Sequence, residues 1–401
     1  MRDFWKTLSA RVSMPGRLAK ADLPAVMALS ALIIGSWLPR LHGPIDLRWD
    51  GGAYYVLGTS LAEGKGYRLL NEPGHIEAIQ YPPLLPAVIA AHQLVRGTSD
   101  PTIVGRWLRV SFFCMHAALV LATYILLRTF FSVGLAFCGA AMFVLNVFPT
   151  FFSDLCFAEI PSSLVIVLFV LCNRGSDSRV GRAFAGIFAV LAFLLRTAGA
   201  AVLGAWIAES LAKREFKRAA VRALVAAIPI LAWQAYVMSV QGSRAYAEPA
   251  YDYQRTAYMF YNVSYPTNLR LLDPFRPEAG EVTAGQLAGR FVLNLRELPG
   301  RLAESATAEQ GYWREFARCR DIGSPGASAF AEGAVAVVVS VVGLLILGGL
   351  AILAARRLLL IPAYVLLSLG GVCLLPWQAQ MLRDWTPAIP LLVLALLLGV
   401  K

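Results

Sequence analysis

Pro83-Leu-Leu-Pro-Ala-Val-Ile-Ala-Ala-His-Gln-Leu-Val95 decides the fold of this 401-residue chain. The stretch is apolar, carries Pro86 and His92, and falls short of the roughly twenty residues that a spanning helix needs. Read as a full span, it inverts the orientation of everything after it. Read as a helix lying along the membrane interface, it leaves that orientation alone. Charge parity separates the two. If residues 40–106 stay on one side, spans are expected at about 23–38, 107–127, 133–148, 160–172, 183–195, 198–212, 223–240, 331–354, 358–375 and 386–400. The basic residues before position 22, then Arg128, Arg174 to Arg182, Lys213 to Arg222 and Arg356-Arg357 all fall on the same side. Lys and Arg accumulate in cytoplasmic loops, so that side is inside. A spanning 83–95 puts these clusters outside, and the interfacial reading wins.

The expected fold is an all-α polytopic membrane protein of about ten transmembrane helices, with interfacial helices in the first external loop. Its parts are a cytoplasmic N-terminus (1–22), a transmembrane core (23–240) with an external loop (40–106), an external segment (241–330) and C-terminal helices (331–401). No small-residue cleavage site follows the first apolar run, so that run is expected to be retained. Composition agrees: 58% of residues are hydrophobic and 15% charged, against about half and a quarter in a soluble domain. Mean hydropathy is +0.61. The net charge of +11 sits in short clusters between apolar runs, which argues against nucleic acid as a partner. The six cysteines form no CxxC pair and read as small buried hydrophobes. Segment 241–330 is expected to hold helices near 284–298 and 301–318. Its tyrosines (Tyr246, Tyr251, Tyr253, Tyr258, Tyr261, Tyr265) belong to a small cap or line an acceptor groove.

The outer face collects ionisable groups at the membrane boundary. Asp50 lies in Trp49-Asp-Gly-Gly-Ala-Tyr-Tyr55, with Asp46 four residues before it and Tyr54 four residues after. Glu159 precedes Ile-Pro, Arg196 interrupts an apolar hairpin, and Arg383-Asp384 precedes the last span. Any one of these is readily a capping or snorkelling residue. Five on one side make a site, because charge at the bilayer edge is costly. Sugar transfer from a lipid phosphate needs a base for the acceptor hydroxyl or amine, and cations for the departing phosphate. Asp50 is the expected base. Arg196, Arg383, Arg48, Lys65 and His75 are candidates for the phosphate. Glu159 is a second carboxylate that orients substrate or the arginines.

Asp50-x-x-x-Tyr54, Leu61-Ala-Glu-Gly-Lys-Gly-Tyr67 and Tyr81-Pro-Pro-Leu-Leu-Pro86 together resemble the first external loop of GT-C class glycosyltransferases. The nearest branch is the group of protein O-mannosyltransferases and aminoarabinose–lipid A transferases. Glu159-Ile-Pro161, Leu195-Arg-Thr197 and Arg383 to Pro390 fit the same order; the likeness is good over 25–215 and loose beyond. It implies a catalytic Asp50 on the periplasmic or lumenal side, a polyprenyl-phosphate sugar donor, a glycan, lipid or protein acceptor, inversion at the anomeric carbon, and no metal or other cofactor. Tyr54, Tyr55, Tyr81, Pro82 and Pro83 are then expected around the substrate. Two positions depart from the pattern. Gly51 follows Asp50 where many members carry Asp-Glu, and Tyr81 stands where some carry Lys. The chain also ends after the tenth expected span. The four histidines are scattered, and no metal site is expected. The rival class is a transporter or flippase of lipid-linked sugars, which tends to show inverted repeats that this sequence lacks.

Overall fold

The computed structural model describes residues 20–174, 178–255, 262–309, 311, 325–376 and 381–401. It is helical; among the described residues, extended pairing is limited to three isolated bridges. The helices used below are α1 (Leu23–Trp37), α2 (Asp50–Ala62), α3 (Leu84–Arg96), α4 (Pro101–Arg128), α5 (Val133–Leu145), α6 (Val147–Asp154) and α7 (Glu159–Arg174). They continue with α8 (Arg179–Leu195), α9 (Ala200–Ala212), α10 (Phe216–Gln241), α11 (Ala284–Ala306), α12 (Pro325–Ala355), α13 (Leu360–Cys373), α14 (Met381–Trp385) and α15 (Ile389–Val400).

Five segments are long and apolar enough to cross a membrane: Lys20–Arg40, Pro101–Arg128, Phe216–Gln241, Gly333–Ala355 and Met381–Val400. A sixth follows if α5 and α6, bent by 52° at Asn146, count as one. Ten were expected. The shortfall lies in α7, α8, α9 and α13, which have 16, 17, 13 and 14 residues. At 1.5 Å per residue, about 20–26 Å, they fall below a ~30 Å hydrocarbon core.

Boundaries shift where local chemistry overrides the apolar pattern. The helix expected from 107 begins at Pro101, because Asp100 caps it by accepting the Thr102 N–H at 2.7 Å. The run expected over 133–148 breaks at Asn146, whose side chain accepts from the Phe148 N–H and donates to the Ser305 carbonyl. The helix expected near 284–298 continues to Ala306, through Pro299, from a capping box at Thr283 and Gln286. The second expected helix, 301–318, has its first residues in the end of α11, and residues 310 and 312–318 lie outside the described residues, as do Tyr258 and Tyr261. The last span starts at Met381, so Arg383 and Asp384 lie within it and do not precede it.

The stretch between α1 and α4 packs as a unit with α4. It has its own apolar cluster, including Leu57, Leu69, Leu85, Ile89, Leu108 and Phe112. Helix α3, the stretch 83–95, lies against α2 and crosses nothing by length. Gly58 makes that contact possible: a Cβ there would meet Ile89 Cγ2 at 2.7 Å and the Pro86 carbonyl at 3.0 Å. Two hydrogen bonds tie the loop onward. The Tyr236 hydroxyl of α10 donates to the Ala78 carbonyl at 3.0 Å, and the Gln254 amide donates to the Pro73 carbonyl at 3.1 Å.

Candidate active site

Asp50 opens α2, where a carboxylate is favoured by the unpaired N–H groups of the first turn. The residue before it, Trp49, holds φ at +53°, a strained setting for a bulky side chain. Asp46 anchors the approach. Its N–H donates to the Asp154 carbonyl at 3.1 Å, and its own carbonyl accepts from the Cys156 N–H at 2.9 Å. The junction before α7 therefore sets the position of Asp50. Gly51 keeps this junction relaxed. A Cβ there would stand 3.3 Å from the Asp46 carbonyl oxygen and 3.6 Å from the Cys156 Cβ. A side chain at this position would press on the Asp46 carbonyl and shift the junction slightly.

Glu159 opens α7 in the same way, and Arg196 sits at the break between α8 and α9. Helix α14 supplies Arg383 and Asp384. The five side chains form one alternating relay. Arg383 pairs with the Asp50 carboxylate and donates to Glu159 Oε1 at 2.6 Å. Arg196 donates to the same Glu159 oxygen at 2.8 Å and to Asp384 at 2.7 Å. Arg383 also lies 4.6 Å over the Phe157 ring, which adds a cation–π contact. The order is acid, base, acid, base, acid. Three carboxylates face two guanidiniums, so the relay is one charge short of neutral when all are ionised. Burial works against the charge on Arg196, yet Glu159 and Asp384 outweigh it and hold its pKa above the ordinary arginine value.

The relay lies against a cavity of about 570 Å³. Arg196, Arg383 and Asp384 line it; Asp50 and Glu159 stand behind the arginines. Tyr54, Tyr81 and Pro82 form the loop wall, and Ser162, Trp233, Tyr265 and Tyr364 come from the core and from segment 241–330. Much of the remaining lining is aliphatic. Three buried polar atoms beside it, Glu159 Oε2, Ser162 Oγ and Gln80 Oε1, have no hydrogen-bond partner among the described residues. An unmet buried acceptor costs roughly 1–3 kcal/mol, which suits a site completed by substrate. Burial first, then the nearby charges of Asp50 and Glu159, raises the Tyr54 phenol well above its usual value. Burial pushes Tyr265 up to about 12.

Not every candidate reaches this place. Tyr81 packs against Tyr54 in a tilted contact, ring centroids 4.6 Å apart, so an aromatic packing partner stands where some members of the resembled family carry lysine. Pro83 caps α3 and is not on the cavity wall. Tyr55 donates to the Ser99 carbonyl at 2.9 Å and braces the loop. Arg48 pairs with Asp46 at 2.6 Å and is 64% exposed. Lys65 pairs with Glu63 at 2.7 Å in solvent, and His75 is exposed in a turn at φ +47°. None of the last four lines the cavity. Sequence reasoning passed over Trp233, Ser162 and Tyr364, which look like ordinary span residues. Tyr265 had a signal, in the tyrosine run. Among the described residues, no group of three or more His, Cys, Asp or Glu is placed to hold a metal ion.

No protein-family model matches the chain, and no curated protein matches it. Two crystal structures are similar to it. One is ArnT from Cupriavidus metallidurans in the apo state, with a TM-score of 0.43 and 13% identity, covering 95% of this chain and 77% of that one. The other is ArnT from the same organism bound to undecaprenyl phosphate, with a TM-score of 0.40 and 14% identity, covering 94% and 76%.

Proposed function

We propose that this protein is an inverting membrane glycosyltransferase that moves a sugar from a polyprenyl-phosphate donor to an acceptor. The acid–base relay beside a largely aliphatic cavity carries this reading. Asp50 takes the proton of the acceptor hydroxyl or amine. The freed oxygen or nitrogen attacks the anomeric carbon from the face opposite the phosphate. The bond from that carbon to the phosphate oxygen breaks, and polyprenyl phosphate leaves with the electron pair. Arg383 and Arg196 stabilise the charge that develops on it. The aliphatic walls hold the first isoprene units, and no cofactor takes part.

Order follows from the pairing. With Arg383 on Asp50, the base is masked and stands off the cavity lining. A donor phosphate competes for the same guanidinium and turns Asp50 toward the acceptor. Donor therefore binds first. The ten-span topology inferred from charge parity and the GT-C type that the resemblance implies belong to this proposal, with loop 40–106 and segment 241–330 on the periplasmic side of an inner membrane. Contacts at the helix ends support it. Asp22 receives hydrogen bonds from Tyr124 and Arg128 at one end, while Arg40 and Asp154 pair at the other, beside the loop.

The test is sugar transfer from radiolabelled polyprenyl-phosphate monosaccharides in proteoliposomes, wild type beside Asp50→Ala. Asp50-dependent release of label from its lipid supports the enzyme. Label that crosses the bilayer still attached to its lipid, with or without Asp50, makes the protein a transporter.

A further inference from the structure

At the far ends of α8 and α10 from the relay lies a groove of about 550 Å³. Its walls are mostly apolar, with Ile187 and Val190 from α8 facing Val225 from α10 over the indole of Trp206. Arg182 and Arg218 stand exposed on its lining. We propose that this groove binds an anionic phospholipid of the cytoplasmic leaflet, its phosphate between Arg182 and Arg218 and one acyl chain along the α8–α10 walls.

The chemistry narrows the occupant. The polar floor is already committed. Arg222 donates to the Trp206 carbonyl at 2.5 Å, to Asn173 Oδ1 at 3.0 Å and to Glu209 at 3.1 Å. What the groove presents at its surface is apolar wall and the exposed, positively charged side chains of Arg182 and Arg218. Arg218 meets Glu215 at 2.7 Å with both side chains more than a third exposed, and such a pair yields readily to a phosphate. The surrounding field favours an anion: between Arg174 and Arg222, leaving out Arg196 at the other end, stand eight basic and three acidic residues. Basic pockets between helices at an anionic leaflet recruit phosphate headgroups. A free anion gains nothing from the walls, and a zwitterionic lipid gains little from the field.

The experiment follows thermal unfolding of the full chain in a neutral detergent while phosphatidylglycerol, phosphatidylcholine or soluble glycerol phosphate is added. Phosphatidylglycerol is expected to raise the midpoint by about 5 °C and the other two to leave it unmoved. Arg182→Gln with Arg218→Gln removes the shift. Val221→Trp, at a wall position 62% exposed, removes it with both arginines intact. Native mass spectrometry of copurified phosphatidylglycerol gives the same ranking without unfolding, should a variant start with a lower midpoint. Equal shifts from both lipids, a full shift from glycerol phosphate, no shift at all, or a shift retained in both variants would each overturn the proposal. None of these substitutions touches the relay.

Discussion

Two buried charge networks occupy opposite ends of the molecule, and they are built on different plans. The inner one joins Glu209, Arg222, Asn173, Trp206 and Lys213, with no link longer than 49 positions. Both Glu209 oxygens are used: Oε1 takes Lys213, and Oε2 takes Asn173 and Arg222. The outer relay spans up to 333 positions, holds more acid than base, and leaves Glu159 Oε2 without a partner among the described residues. A closed network stabilises a fold. An open one, short of charge balance beside a cavity, is prepared to receive something. The inner network also corrects the sequence reading, which found only plain basic clusters on that side.

This contrast is strongest at Arg383, which alone reaches both Asp50 and Glu159. Arg383→Ala should lower transfer by about 10³-fold and depress the unfolding midpoint as well, since Asp50 loses its relay partner and Glu159 one of its two. Arg383→Lys should recover part of the stability and little of the rate, because an ammonium cannot bridge both acids. Steady-state kinetics beside a thermal scan reads both. Asp50→Asn separates the two plans more cleanly. Rate should fall by about 10²–10³-fold with the midpoint unchanged or higher, because the excess negative charge is relieved. A midpoint that fell in step with the rate would make Asp50 a structural partner only. Glu209→Gln should do the reverse, costing about 1–3 kcal/mol of stability while the rate per folded molecule holds.

Smaller effects test the approach to the base. Gly51→Ala should cut the rate about tenfold by shifting Asp50, with KM for the donor little changed. The smallest concerns Asp46. Burial pushes its carboxyl up, but the Arg48 side chain and N–H outweigh that and hold it below the usual carboxylate range. A lowered folded pKa contributes stability above the ordinary value of about 4 and loses it as pH falls through the folded one. Wild type and Asp46→Asn should therefore differ by less than about 2 °C near pH 7 and converge on acidification.

How much of this was legible follows from what chain order can carry. Asp50, Glu159, Arg196, Arg383 and Asp384 were each visible as charges out of place beside apolar runs, and all five meet. The short stretch 83–95 was visible because its length disagrees with spanning. Partnership was not visible, since links of 37, 188, 224 and 333 positions leave no local periodicity. Lys65 and His75 have suitable chemistry and sit near Asp50 in sequence, but they are exposed and off the cavity lining, which sequence proximity cannot reveal. Glu209 and Asn173 escaped notice for the opposite reason: each sits singly near the end of an apolar run, as a capping residue would.

The span from Asp50 to Arg383 also has a consequence for how the protein is made. At about 5–20 residues per second, the ribosome needs roughly 15–70 s to travel those 333 positions. Until Arg383 emerges, Asp50 lacks its partner in the relay, and Glu159, once made, has Arg196 as its single one. Asp50 must wait protonated, hydrated or shielded by the insertion machinery until α14 arrives. Any truncation before residue 383 leaves that wait without an end, so quality control should remove such chains even when every earlier helix has inserted correctly.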